Sequence, residues 1–354
     1  MPQEQNREYT ERLIEFANRL VLKRPDLNLL GNHPRNEYPI ITQNLEALLQ
    51  ERHAKGKLLL PNLSAFQNQA LGIFSDYSGE GSGNYYTYSV LVCGYGFTSS
   101  FSEKMKLVRK NFRLGDKEIA FKDFGMGQVR ASLPDYLAAA NELPGFLCTL
   151  AVDKRIATLF GPHDDPSSIQ KIADLLANNR LGGRKPREAE KLLRVVHMAA
   201  FMAALLGTDG QKIFWMTDND AICANPDQHQ SMMALFDRVL PIYTRSGVNF
   251  PLLGGALPFQ PKSVEMNDLL SIADVVAGSV AQYLTKSDTE PQEMITLKEG
   301  AEKVFAFLGR EGIGLKKATF LIRLNSKGEL ERGDIDIALR NPLADAMLVP
   351  IFDN

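Results

Sequence analysis

The segment Phe146–Val152 (FLCTLAV) is a continuous apolar run that stops at Asp153. Such a run cannot alternate a wet face with a dry one, so it belongs to a strand covered on both sides. A chain that contains it must place helices above and below a sheet. Two further runs behave alike. Ala70–Asp76 (ALGIFSD) and Lys212–Met216 (KIFWM) are short, and acids follow: Asp76 in the first case, Asp218 and Asp220 in the second. Tyr85–Phe97 (YYTYSVLVCGYGF) is rich in aromatic and β-branched residues and reads as a strand. Gly79–Gly83 (GEGSG) joins it to Ala70–Asp76 as a hairpin. The glycines do not have the G-x-G-x-x-G spacing of a dinucleotide loop, and no helix follows them.

A third strand is expected around Lys117–Phe121, and helices over Leu133–Glu142, 166–178, 186–207 and Asp268–Leu284. This order of elements predicts an α/β protein with a mixed sheet flanked by helices. Residues 1–65 read as an N-terminal helical extension. Tyr9, Leu13, Phe16, Ala17 and Leu20 recur at helical spacing, as do Leu45, Leu48 and Leu49, with a Pro- and Asn-rich loop between. Residues 66–285 form the core. Residues 286–354 begin with a polar linker and continue with a helix over Lys298–Arg310. A C-terminal β-hairpin of Ala318–Leu324 and Asp334–Leu339 turns at Asn325–Gly328, packed on the core or contacting a second copy.

Composition removes several function classes. The 40 Lys+Arg and 42 Asp+Glu give a net charge of −2, which excludes a globally basic nucleic-acid coat. Three cysteines without C-x-x-C spacing argue against a disulfide framework and a structural zinc, and for a reducing compartment. Met1–Arg12 is polar and does not read as a signal peptide. The apolar stretch Val195–Thr208 is shorter than the roughly 20 residues that span a bilayer, so it reads as a buried helix. A cytoplasmic protein is expected. The five histidines are scattered with no H-E-x-x-H pair, and there is no G-x-S-x-G elbow.

The acids carry the chemistry. Where central strands run parallel, their carboxyl ends share one edge, and ligand crevices form there. Asp76, Asp153, Asp218 and Asp220 each follow such a run, although any one alone could begin a turn. Asp274 is the sharper case, because it lies inside the apolar helix Leu269–Leu284. Apart from Leu270 its helical neighbours are small: Ser271, Ala277, Gly278 and Ala281. That face allows close approach to a sheet and brings the carboxylate to a shared site. Converging carboxylates repel, by about 4 kcal/mol per pair at ~4 Å and an effective dielectric near 20. Protonation or a hard divalent cation relieves this.

At these residues the sequence resembles a prokaryotic family of uncharacterised proteins with a ribonuclease H-like fold. Its members open with a strand ending in D-E-S-G, continue through an E-L-K-type segment and a strand ending near V-D-K, and finish with a helix reading L-Q-x-A-D-x-x-A-G. The corresponding segments here are Ser75–Gly79, Ala120–Asp123, Val152–Lys154 and Leu270–Gly278, spanning about residues 70–285. Three positions depart from the pattern: Tyr77 follows the first Asp, Ser271 replaces the Gln, and Phe121 stands where an acid often precedes the Lys. Glu80 or Asp123 could compensate.

The resemblance implies a metal-dependent nuclease or related phosphodiester hydrolase. It implies two Mg²⁺ or Mn²⁺ ions held by Asp76 on the first strand, Asp153 on the fourth and Asp274 on the last helix. Asp218, Asp220 and Glu80 are further candidate ligands, and Lys122 could offset phosphate charge. The rival expectation is a catalytically inactive descendant that binds nucleic acid or protein, such as one within a bacterial defence system. A phosphatase acting on small nucleotides is a third. Nucleic acid would be met by the basic run Arg180–Arg194, through Arg180, Arg184, Lys185, Arg187, Lys191 and Arg194. Ser102–Lys110 is a weaker basic segment. A protein partner or homo-oligomer is compatible with the terminal additions.

Overall fold

The computed structural model describes residues 13–14, 16–17, 19–256, 264–291, 294–337 and 351–352. The helix expected around Tyr9 therefore lies mostly outside the described residues. The chain folds around β3 (Ala70–Ser78), β4 (Tyr85–Gly94), β5 (Gly145–Asp153), β6 (Lys212–Thr217), β7 (Leu253–Gly255), β8 (Leu315–Leu324) and β9 (Leu330–Asp334). These make one seven-stranded mixed sheet in the order β7-β6-β3-β4-β5-β8-β9. β3, β4 and β5 form an antiparallel meander. β6 lies parallel to β3, β7 parallel to β6 and β8 parallel to β5, while β9 is antiparallel to β8. A separate small sheet joins β1 (Val21–Lys23) to β2 (Leu60–Pro61) and β10 (Ile351–Phe352).

The central strands are apolar on both faces because both faces are covered. Ile73, Val90, Val92, Cys148, Leu150 and Val152 point into one core. That core is closed by α1 (Ile40–Ala54), α4 (Ser167–Asn178), α5 (Pro186–Leu206) and α6 (Pro226–Tyr243). Phe74, Leu91, Cys93, Leu147 and Ala151 point into the other. It is closed by α2 (Ser99–Asn111), α3 (Gly127–Ala140), α7 (Val264–Ser287) and α8 (Ala301–Leu308). The apolar stretch around Val195 is the buried half of α5, as expected.

α7 approaches the sheet closely because both sides of the contact are small. Thr87 donates to the Ala277 carbonyl at 2.8 Å, and Ser89 and Thr149 bond each other at 2.7 Å beneath the helix. At Gly278 there is no room for a side chain: a Cβ would stand 2.3 Å from Phe121 Cγ. The helix is pinned from the side by a buried ion pair between Arg109 of α2 and Asp268. Arg109 Nε donates to Asp268 Oδ2 at 2.9 Å.

Three expectations are corrected. Lys117–Phe121 is not a strand; it is loop leading into a 3-10 turn, Phe121–Gly125. Gly115, at φ +55°, turns the backbone ahead of it, and the third strand of the meander is β5 instead. Asp153 therefore ends the third strand of the meander, and it is Asp218 that follows the strand parallel to β3. Finally, the second hairpin strand lies at Leu330–Asp334, and of the expected Asp334–Leu339 only Asp334 is in a strand among the described residues, 338–339 lying outside them; β8 pairs with β5 from Gly145 to Val152. The C-terminal hairpin thus extends the central sheet. The turn at Asn325–Gly328 is as expected, with the Asn325 side chain accepting the N–H groups of Lys327 and Glu329.

Candidate functional site

β3 delivers Asp76 to the α7 side of the sheet, since Phe74 two residues earlier faces that core. Asp76 is only 5 % exposed, and its Oδ1 accepts the Tyr77 N–H at 2.6 Å. α7 delivers Asp274 from above, with Oδ2 accepting the Phe121 N–H at 2.7 Å. Asp218 arrives from the loop after β6, where its N–H bonds the Ser75 carbonyl at 3.1 Å. These acids sense one another. Burial raises the Asp76 carboxyl well above the ordinary range, and the charges of Asp274, Asp218 and Glu118 push the same way. Asp274 is raised to about 7, first by burial and then, against the Phe121 hydrogen bond, by Glu118 and Asp218.

Glu118 was not among the sequence candidates. It comes from the loop that the sequence assigned to a strand. It supplies an acid beside the site three residues before Phe121, where the family pattern appeared to lack one. Its carboxylate lies 3.6 Å from Lys122 Nζ. Lys122 is exposed at the rim and is held more basic by Glu118 first, against burial, with Asp274, Asp123 and Asp218 adding to it. The turn carrying Lys122 is clamped by Lys298, whose Nζ donates to the carbonyls of Phe121 and Lys122 at 2.8 Å each.

The other acids are placed elsewhere. Asp76 pairs with Ser89, and Ser89 with Thr149, so Asp153 lies two strands across and four residues along. At strand spacings of about 4.8 Å and 3.3 Å per residue that is roughly 16 Å between Cα atoms. There Asp153 is held by Arg155, whose Nη2 lies 2.5 Å away, and by the N–H of Leu324. Burial would raise its carboxyl, but these hydrogen bonds outweigh burial and lower it. Asp220 and Glu80 are both bound by Lys191 of α5. That lysine also sits 4.8 Å over the Tyr77 ring, on the face of the sheet opposite Asp76. Burial raises the Asp220 carboxyl, opposed by Lys191.

Tyr77, which stands where the family pattern has an acid, builds a hydroxyl network on that opposite face. Its hydroxyl bonds Thr217 and, at 3.1 Å, Ser75 Oγ. Ser75 Oγ donates to Thr217 Oγ1 at 3.0 Å and accepts the Trp215 Nε1–H, also at 3.0 Å. The network fixes the end of β3 against β6, and with it the position of Asp76.

The donor set suits a hard divalent cation in kind, being carboxylate oxygens throughout. Asp76 and Asp274 each commit one oxygen to a backbone N–H. In spacing the set is open: among the described residues no three of His, Cys, Asp or Glu stand together closely enough to hold a metal ion.

The basic run is mostly engaged internally. Arg194 is buried against Glu190 at 2.7 Å. Arg184 donates to the carbonyls of Ala221 and Gln228. Lys191 holds Glu80 and Asp220, and Lys185 lies 3.7 Å from Glu188. Arg180 and Arg187 are exposed. No helix of the described residues is long and apolar enough to cross a membrane. Compared with known proteins, no family model matches the chain and no curated protein is significantly similar to it.

Proposed function

We propose that the protein is a metal-dependent phosphodiester hydrolase acting on nucleic acid, built on a ribonuclease H-like core. The observation that carries the reading is that Asp76, Asp218 and Asp274, from β3, the β6 loop and α7, lie near enough for their charges to act on one another, though not, among the described residues, as a closed three-acid cluster. The strand arrangement supports it: a three-stranded meander whose first strand is flanked by two successive parallel strands, with a helix laid across. Asp76, Asp218 and Asp274, with Glu118 beside them, would hold Mg²⁺ or Mn²⁺ only by drawing closer together than they stand here. The ion would supply Lewis acidity and an activated water.

The chain's own groups define the remaining roles. Asp76 is buried and Asp274 half-buried, and burial with the charges of neighbouring acids raises both carboxyls, Asp274 to about 7, so both hold protons more readily than ordinary aspartates when no cation is present. Lys122 at the rim offers positive charge to a phosphate entering over the acids. The Tyr77 network and the Phe121 N–H hold the two carboxylates in orientation.

The test is cleavage of end-labelled RNA and DNA oligonucleotides with Mn²⁺ or Mg²⁺. Activity should require the cation and vanish in Asp76→Asn and Asp274→Asn. Full activity in both variants refutes the assignment. A second reading, a non-catalytic binding module, is favoured by the open spacing of the acids. It predicts no cleavage and no rise in melting temperature with either cation. Hydrolysis of free nucleotides but not of oligonucleotides would instead mark a small-nucleotide phosphatase.

A further inference from the structure

α7 meets the Phe121–Gly125 turn through three residues spaced four apart, and so on one face: Asp274, Gly278 and Gln282. Each receives a different group. Asp274 Oδ2 accepts the Phe121 N–H at 2.7 Å. Gly278 leaves room for the Phe121 ring, whose Cγ would stand 2.3 Å from a Cβ there. Gln282 Oε1 accepts the backbone N–H of Lys298 at 2.8 Å. Lys298 then closes the contact from the other end. Its Nζ donates to the Phe121 and Lys122 carbonyls at 2.8 Å each and lies 5.0 Å over the Phe121 ring.

The turn needs such a hold. It is a five-residue 3-10 segment, a form whose own hydrogen bonds have poor geometry. Lys298 is itself well anchored. Its carbonyl accepts the N–H of Ala301, the first residue of α8, at 3.0 Å. Two residues on, Gly300 has φ +99° and packs so tightly that a Cβ would stand 2.8 Å from Leu133 Cδ1. Among the described residues no carboxylate pairs with Lys298, so its ammonium is committed to the two carbonyls. Hydrogen bonds from a charged donor are stronger than neutral ones.

We propose that Lys298 is a positioning residue for Asp274: it fixes the Phe121 peptide, whose N–H holds that carboxylate in place beside Asp76, with Lys122 at the rim. A carboxylate held in advance loses less freedom when it takes a cation. The contact stands by itself, while its consequence for a cation rests on the hydrolase reading.

The first measurement needs no metal: hydrogen exchange of the Phe121 amide by NMR, in chelator, for the wild type, Lys298→Met and Lys298→Arg. The second is Mn²⁺ binding to the same proteins, followed by electron paramagnetic resonance. Met keeps the apolar stem and removes the donor. In Lys298→Met the Phe121 amide should exchange about tenfold faster, and the Mn²⁺ dissociation constant should rise about tenfold, the scale of a lost partner behind a metal ligand. Arg, whose fork of N–H groups can reach two carbonyls, should restore most of both. Lys303→Met is the control, because Lys303 Nζ bonds the Arg130 carbonyl at 3.1 Å; it should change neither. Circular dichroism confirms that each variant is folded. Unchanged Phe121 exchange in Lys298→Met overturns the proposal. So does unchanged Mn²⁺ affinity despite faster exchange, an Arg variant as impaired as the Met variant, or an equal loss in Lys303→Met. A wild type that binds no Mn²⁺ defeats the hydrolase reading instead. The exchange result then decides alone: faster exchange restored by Arg upholds the hold on Asp274, and unchanged exchange overturns it.

Discussion

Replacing Asp274 with Asn should stabilise the metal-free protein at alkaline pH and leave it nearly unchanged at acid pH. Burial and then the charges of Glu118 and Asp218 raise this carboxyl to about 7, against the pull of the Phe121 N–H. In the unfolded chain an aspartate titrates near ~3.9. Between those values the folded state keeps a proton that the unfolded chain has released. The folded state is therefore fully favoured below about pH 4 and loses ground as pH rises through about 7, by at most ~1.4 kcal/mol per pH unit. Over roughly three units the ceiling is ~4 kcal/mol. Asp76 shares the same repulsion and titrates jointly with Asp274, so the single substitution should recover only part, about 1–2 kcal/mol at pH 8. Asn retains an oxygen able to accept the Phe121 N–H, so the comparison isolates charge. Urea unfolding followed by circular dichroism at pH 4 and pH 8, in chelator, measures the effect. Parallel stability–pH curves for wild type and variant would show that Asp274 does not meet other carboxylates, and the argument for a shared site would fail with it.

Further tests address the frame around the site. Gly278→Ala should cost about 1–3 kcal/mol, as overpacking does, because its Cβ collides with Phe121 at 2.3 Å. Since Phe121 heads the turn bearing Lys122, the variant should also lose cleavage activity at temperatures where it remains folded. Arg109→Ala strands the carboxylate of Asp268, which is 1 % exposed, and should cost about 3–5 kcal/mol. Urea unfolding checks this, and a loss below about 1 kcal/mol would mean that the pair is not buried in solution.

Much of the sheet was legible because burial on two faces leaves a mark in sequence. FLCTLAV, ALGIFSD and KIFWM coincide with β5, β3 and β6 to within a residue or two. α5 and α7 were visible through their long apolar stretches, and the small face around Asp274 anticipated the close contact with β4. Other features have no local signature. α2 is amphipathic with many charges, and it read only as a basic segment. α6 went unread behind its Asn225 cap and the proline at its first turn. Glu118 sits on a loop whose path is dictated by Asp274 accepting the Phe121 N–H, a contact 153 residues apart in sequence. Likewise nothing near Asp153 announces that Arg155 will fold back on it, or that Lys191 will bridge Glu80 and Asp220. Strand ends reveal which acids reach the edge; ion-pair partners decide which remain available there.

Trp215 is the chain's single tryptophan, and its indole is buried with its N–H on Ser75, the residue beside Asp76. The protein therefore contains an intrinsic fluorophore one bond network away from the acids, with no second indole to dilute its signal. Any ligand that tightens or loosens the end of β3 will shift that emission, so occupancy can be followed by light in the unlabelled, unmodified chain.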